Sequence, residues 1–220
     1  MAMPQRKLDY DYTPEEYLAF ERKAEAKHEY LDGQIYAMAG ASPTHNQICF
    51  NAIVAVGSQI MDSTCIGYTS DQKIRTDLMD LFSYPDLTIV CGQPVFHDQQ
   101  QDVILNPTVI IEVLSPRTES FDRVTKLERY QNISSLTDYI LISQNRPCVE
   151  HYVRQKGKRQ WLFTIETDPA AEIEITSIKC KLKLADTYNR VKFPSAKGLL
   201  AAVESLPKPT TKKAKRSKAK

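Results

Sequence analysis

Tyr84-Pro85-Asp86-Leu87-Thr88-Ile89-Val90 and Pro107-Thr108-Val109-Ile110-Ile111-Glu112-Val113-Leu114-Ser115 together decide the fold. Each is a short apolar, β-branched run with one acid set into it. Leu87–Val90 and Val109–Leu114 have the composition of strands buried on both faces. Asp86 stands at the mouth of the first run and Glu112 lies inside the second. A carboxylate within a buried strand is costly unless it is paired or bound to a cation. The intervening Cys91 to Asn106 is rich in turn-forming and polar residues, so it reads as a loop. A connection of that length lets the two strands return antiparallel as a wide hairpin. From the acids alone two readings stay open. One is a metal site. The other is a turn-capping Asp86 with Glu112 paired to a buried arginine.

Upstream, Thr13-Pro14-Glu15-Glu16 is a helix start with a capping box, and the helix is expected to reach about Ala26. Asp32-Gly33 between apolar runs is a hairpin signal. Glu29 sits just before it, either as a solvated strand-end acid or as part of a site. Ser42-Pro43 opens a second helix running to about Met61, with His45 in its first turn. That histidine either lies on the surface or points into a site beside Glu29. Residues 64–79 read as two short strands, on which Lys73 and Arg75 share one face.

Downstream, Ser115-Pro116 stops the second central strand. A helix is expected over Phe121–Asn132, with Phe121, Val124, Leu127 and Tyr130 as its buried stripe. Asp122 and Lys126 would then form an i,i+4 pair on a neighbouring face. Asp138–Ser143 is a further buried strand, and Cys148–Val153 with Gln160–Ile165 a further hairpin. Two short strand-like segments follow near residues 172–184. The expected organisation is an arm over 1–11, one domain over 12–193, a weak helix over 194–205 and a tail over 206–220.

The 220 residues carry 42% hydrophobic and 25% charged side chains, ordinary for a globular protein. The net charge of +2 conceals an asymmetry. Lys208, Lys212, Lys213, Lys215, Arg216, Lys218 and Lys220 fall in a tail without an acid; the remainder has 22 bases against 27 acids. Such a tail is expected to be disordered and to add sequence-independent attraction to nucleic acid, or merely to solubilise. Five scattered cysteines, with no Cys-x-x-Cys, suit reduced thiols in a cytoplasm. No apolar stretch is long enough to span a bilayer. The glycines form no phosphate-binding loop and there is no nucleophile elbow. No Cys and His cluster shows zinc spacing. The carboxylates and lysines that remain suit an oxygen-ligated hard cation.

Glu29-Tyr30-Leu31-Asp32-Gly33, Ser42 to His45, Tyr84-Pro85-Asp86, Glu112 to Pro116, Asp122 to Lys126 with Tyr130, and Asp138 to Leu141 resemble, in order, the motifs of the Uma-two family. That family is a branch of the PD-(D/E)XK nuclease superfamily. The resemblance covers roughly residues 12–192. One departure stands out: Leu114 occupies the position of the superfamily lysine, and Lys126 on the following helix is the candidate replacement. The resemblance implies a restriction-endonuclease-like α/β fold, a mixed sheet flanked by helices. It also implies a Mg²⁺-dependent endonuclease, with Mn²⁺ as substitute, acting on double-stranded DNA rather than RNA as a cytoplasmic homodimer. Asp86 and Glu112 would hold the metal, Lys126 would act on the attacking water, and Glu29 would complete the site. Lys73, Arg75 and His45 would contact substrate. The alternative is a nucleic-acid-binding or mobile-element-associated protein that keeps the fold without turnover.

Truncation after Leu206 is expected to shift the thermal midpoint by no more than about 2 °C. Differential scanning calorimetry of both chains checks this, and a larger loss would show that the tail docks.

Overall fold

The computed structural model describes residues 11–76, 81–158 and 160–193. The arm through residue 10, the expected helix over 194–205 and the basic tail lie outside the described residues.

Helix α1 (Pro14–Glu21) starts as its sequence requires. The Thr13 hydroxyl accepts from the Glu16 N–H, and the Glu16 carboxylate accepts from the Thr13 N–H. It stops earlier than the expected Ala26. Glu21 is buried and accepts hydrogen bonds from the His28 backbone and ring, which turns the chain into β1. Strands β1 (His28–Leu31) and β2 (Gln34–Ala37) form the expected hairpin. Asp32 and Gly33 both take positive φ there, and a Cβ at Gly33 would come within 2.6 Å of Asp11 Cβ. Only glycine fits that close approach.

Helix α2 (Pro43–Ile60) is capped by Ser42, whose side chain accepts from the His45 N–H. Ile48, Ala52, Val56 and Ile60 recur every four residues and are buried on one face. Strands β3 (Cys65–Thr69) and β4 (Lys73–Thr76) follow, but they do not pair with each other. After them come β5 (Leu81–Ser83), β6 (Leu87–Cys91), β7 (Val103–Ile104) and β8 (Val109–Leu114). A π-helical turn (Phe121–Lys126) runs into α3 (Leu127–Tyr130). The remainder is β9 (Asp138–Ser143), β10 (Val149–Arg154), β11 (Trp161–Glu166), β12 (Glu172–Ile175), β13 (Cys180–Lys183) and α4 (Leu184–Thr187).

The six-stranded sheet β11-β10-β9-β8-β6-β3 is mixed: β8 and β9 run parallel and its other pairs are antiparallel. β6 and β8 form the expected antiparallel pair, with Leu87 opposite Ile111. Period-two alternation splits their side chains. Leu87, Ile89, Val109, Ile111 and Val113 pack with α2, β12, β13 and α4. Val90, Ile110 and Leu114 pack with Tyr130 and Tyr139 on the opposite face. A five-stranded sheet, β2-β1-β5-β4-β7, brings β1 to that second face. Glu112 shares its parity with Ile110 and Leu114 and therefore points there too.

The expectation of five free thiols does not hold. Cys65 and Cys91 stand opposite each other in the β3–β6 register and form a disulfide. Their separation of 26 residues hides a pairing that only strand register creates. Among the described residues Cys49, Cys148 and Cys180 are free.

Ile111 lies at the centre of β8 and is 1% exposed. Ile111→Ala is expected to cost about 2–5 kcal/mol, read as a lower urea midpoint at unchanged slope.

Candidate active site

Four buried side chains from three elements meet on the second face of the large sheet. Glu29 comes from β1, Glu112 from β8, and Asp122 and Lys126 from the π-helical turn; all four are at most 5% exposed. The Lys126 ammonium lies 3.0 Å from Glu29 Oε1, 3.0 Å from Glu112 Oε1 and 3.2 Å from Asp122 Oδ1. The Tyr130 hydroxyl stands 3.1 Å from Glu112 Oε1 and 2.8 Å from the Ser83 hydroxyl.

The expected stripe of Phe121, Val124, Leu127 and Tyr130 is corrected here. Val124 is 65% exposed, whereas Asp122, Lys126 and Tyr130 are buried. The widened π-helical turn replaces the register an α-helix would have had. Magnitudes explain the choice. Burying a valine is worth about 1.5–3 kcal/mol. Leaving buried carboxylates without a cation costs about 3–5 kcal/mol. Turning the lysine inward therefore wins over turning the valine inward. Single π-helical turns are frequent at functional sites.

The charges do not balance, because three carboxylates surround one ammonium. Burial opposes the charge on Lys126, but Glu112, Glu29 and Asp122 outweigh it and hold the ammonium well above its ordinary pKa. Burial pushes the Glu112 carboxyl well above its ordinary range. Lys126 opposes that rise, while Asp122, Asp86 and Glu29 add to it. Asp122 Oδ1 is buried without a hydrogen-bond partner, near though the ammonium is.

Asp86 sits at the rim of this cluster. Continuing the β6–β8 register by one step puts it opposite Glu112. Its Oδ2 accepts from the Val113 N–H at 2.8 Å, so the side chain extends the strand ladder one step before the first residue of β6. The same oxygen lies 3.3 Å from His45 Nε2. Asp86 thus reaches from the sheet to the first turn of α2. His45 loses by burial and gains more from Asp86, so its pKa is raised.

Lys73 and Arg75 are placed elsewhere, on β4 in the five-stranded sheet. Lys73 is buried, pairs with Asp102 at 2.9 Å and donates to the Tyr84 hydroxyl. Arg75 lies against the His97 ring and over the Phe82 ring. Two participants escaped the sequence reading. Asp122 was visible only as half of a helical pair. Cys49, four residues after His45, lies with its sulfur 3.4 Å from His45 Nδ1, and nothing in its local sequence marked it.

A mixed sheet flanked by helices is a restriction-endonuclease-like fold. A solved structure is similar in fold: a protein of Anabaena variabilis, titled a putative nuclease belonging to DUF820. It matches with a TM-score of 0.65 at 17% identity, over 79% of this chain and 96% of its own. Residues 14–184 match the Uma2 family, described as "Putative restriction endonuclease", and the chain belongs to that family. Two uncharacterized proteins of Synechocystis sp. are relatives. One is 36% identical over 167 residues, 76% of this chain and 94% of its own length. The other is 32% identical over 181 residues, 82% and 93% respectively. Among the described residues no helix is long and apolar enough to cross a membrane.

Lys126→Ala leaves three buried carboxylates facing one another, and chemical denaturation is expected to show a loss of about 3–5 kcal/mol. Glu112 provides a pH test. Its folded-state pKa is raised above the ordinary 4.5. Its protonation therefore stabilises the fold below that value, a contribution lost as pH rises through the folded pKa. Glu112→Gln is expected to remove this loss, so that the thermal midpoint falls less between acidic and neutral pH than in the native chain.

Proposed function

We propose that this chain is a divalent-metal-dependent endonuclease that hydrolyses phosphodiester bonds in double-stranded DNA. The observation that carries this reading is the excess of carboxylates around Lys126, with one oxygen of Asp122 left unbonded. An acid-rich pocket repels a phosphodiester anion unless a cation intervenes. The donor set is carboxylate oxygen, which suits a hard ion such as Mg²⁺, with Mn²⁺ as substitute. Asp86 and Glu112 are the residues that would hold it. When bound, such an ion polarises a phosphoryl oxygen and lowers the pKa of water.

The protein's own groups do the rest. Lys126 carries a charged donor that stays protonated and can stabilise the charge that develops on the phosphoryl oxygens. Glu29 and Asp122 hold its stem and charge in place. Glu112, whose pKa is raised by burial and by Asp122, Asp86 and Glu29, holds a cation in its ionised form. His45, beside Asp86, faces the substrate side in this reading. Lys73 and Arg75 serve the five-stranded sheet in this reading. The family description names a restriction activity, whose substrate is duplex DNA. One such site per chain and two strands to cut favour a homodimer.

Plasmid DNA incubated with the full chain and Mg²⁺ or Mn²⁺ is expected to be nicked and linearised, and chelation is expected to stop the reaction. Asp86→Ala is expected to lower the rate by about 100-fold or more. Cleavage that survives both Asp86→Ala and chelation would sink the proposal. A gel shift without cleavage by the native chain would favour the silent binding protein instead.

A further inference from the structure

The acid cluster is not the only set of metal-ligating groups at this end of the sheet. His45 and Cys49 lie four residues apart on α2, so both project from one helix face. Cys49 Sγ is 3.4 Å from His45 Nδ1, and His45 Nε2 is 3.3 Å from Asp86 Oδ2. One donor atom from each of the three residues lies within 4.8 Å of the other two.

We propose that His45, Cys49 and Asp86 form a binding site for a borderline-soft divalent ion, of the class of Zn²⁺ or Co²⁺, separate from the hard-ion position at Asp86 and Glu112. The chemistry of the donors separates the two positions. Imidazole and thiolate select zinc-like ions, whereas magnesium takes oxygen ligands. The three donors, one from each residue, already lie within 4.8 Å of one another, and bonds of about 2.0–2.3 Å at tetrahedral angles would draw them to about 3.3–3.8 Å apart, with one of the two His45 ring nitrogens as the ligand. Three protein ligands leave a fourth position open, as in zinc sites that exchange ligands.

The fold holds the three groups in place. The first turn of α2 is fixed by the Ser42 cap, and the Ser42 hydroxyl in turn donates to Gln144 Oε1 at 2.7 Å. Ile48 and Ala52 seat the same helix on the sheet. Asp86 is held by the Val113 N–H. The side chains of His45 and Asp86 keep 13% and 17% exposure, which leaves the ion an entry path. Binding converts the Cys49 thiol to a thiolate and releases its proton to solvent. Asp86 belongs to both positions, and the nitrogen and sulfur ligands of this one hold a zinc-like ion against magnesium.

Cobalt absorption tests the site without reference to cleavage. The metal-free full-length chain, with the Cys65–Cys91 disulfide intact and Cys49, Cys148 and Cys180 as thiols, is titrated with Co²⁺. The expected result is tetrahedral visible bands with a thiolate-to-cobalt band in the near ultraviolet, saturating at a single equivalent. Zn²⁺ is expected to displace the colour, and excess Mg²⁺ is not. Cys49→Ser should lose the ultraviolet band and bind Co²⁺ about 100-fold more weakly. His45→Ala should weaken binding similarly and shift the visible bands, so the test does not hang on one variant folding. Cys148→Ser and Cys180→Ser should keep the spectrum. Absence of the band in the native chain, its survival in Cys49→Ser, or its loss in Cys148→Ser or Cys180→Ser would overturn the proposal. A chain inactive on DNA still gives a decisive spectrum, so failure of the nuclease reading and failure of this one are distinguishable.

Discussion

One ammonium group, that of Lys126, makes the second face of the central sheet possible. Glu29, Glu112 and Asp122 would otherwise be buried carboxylates facing one another across a few ångströms. Such an arrangement is strongly destabilising without a cation. The Lys126 ammonium lies over the Phe121 ring, 5.7 Å from its centre, and reaches all three acids. The π-helical turn, the exposure of Val124 and the approach of Glu29 from β1 all fit the need to satisfy that head group. The pairing is incomplete in charge, with three carboxylates around one ammonium.

Asp86 has a different task. It stands one residue before β6 and uses a side-chain oxygen where a strand would use a backbone carbonyl. That oxygen also meets His45 from α2. A single carboxylate therefore ties the sheet to the helix on one face and borders the acid cluster on the other. Pro85 supports this position, since proline cannot donate to a ladder and suits the entrance of a strand. The same residue borders donors of two kinds, oxygen only on one side and nitrogen with sulfur on the other.

Much of the fold was legible from local signals. The capping box at Thr13, the Ser42-Pro43 start and the Asp32-Gly33 hairpin rest on interactions within four residues, and each appears as read. The antiparallel pairing of the two central strands followed from their apolar runs and the loop composition between them. Less legible were features that combine distant residues. The disulfide joins Cys65 to Cys91 only because β3 and β6 pair in one particular register. The five-stranded sheet separates β3 from β4, although their sequences adjoin.

The candidate site divides along the same line. The sequence alone determined that Asp86 and Glu112 lie on adjoining buried strands and that a lysine follows on the next helix, because hydrophobic alternation and proline placement are local. Only the tertiary structure decided that Lys126 turns inward with Asp122 rather than outward. Helical periodicity ranks residues by hydrophobicity, and it favoured Val124. Carboxylates brought in from β1 and β8 reversed that ranking, because leaving them uncompensated costs more than exposing one valine. The tertiary structure likewise decided that Lys73 and Arg75 belong to another sheet and that Cys49 stands beside His45 and Asp86. Electrostatic partners are chosen by proximity in space, and proximity across 40 or 80 residues is written in no local pattern.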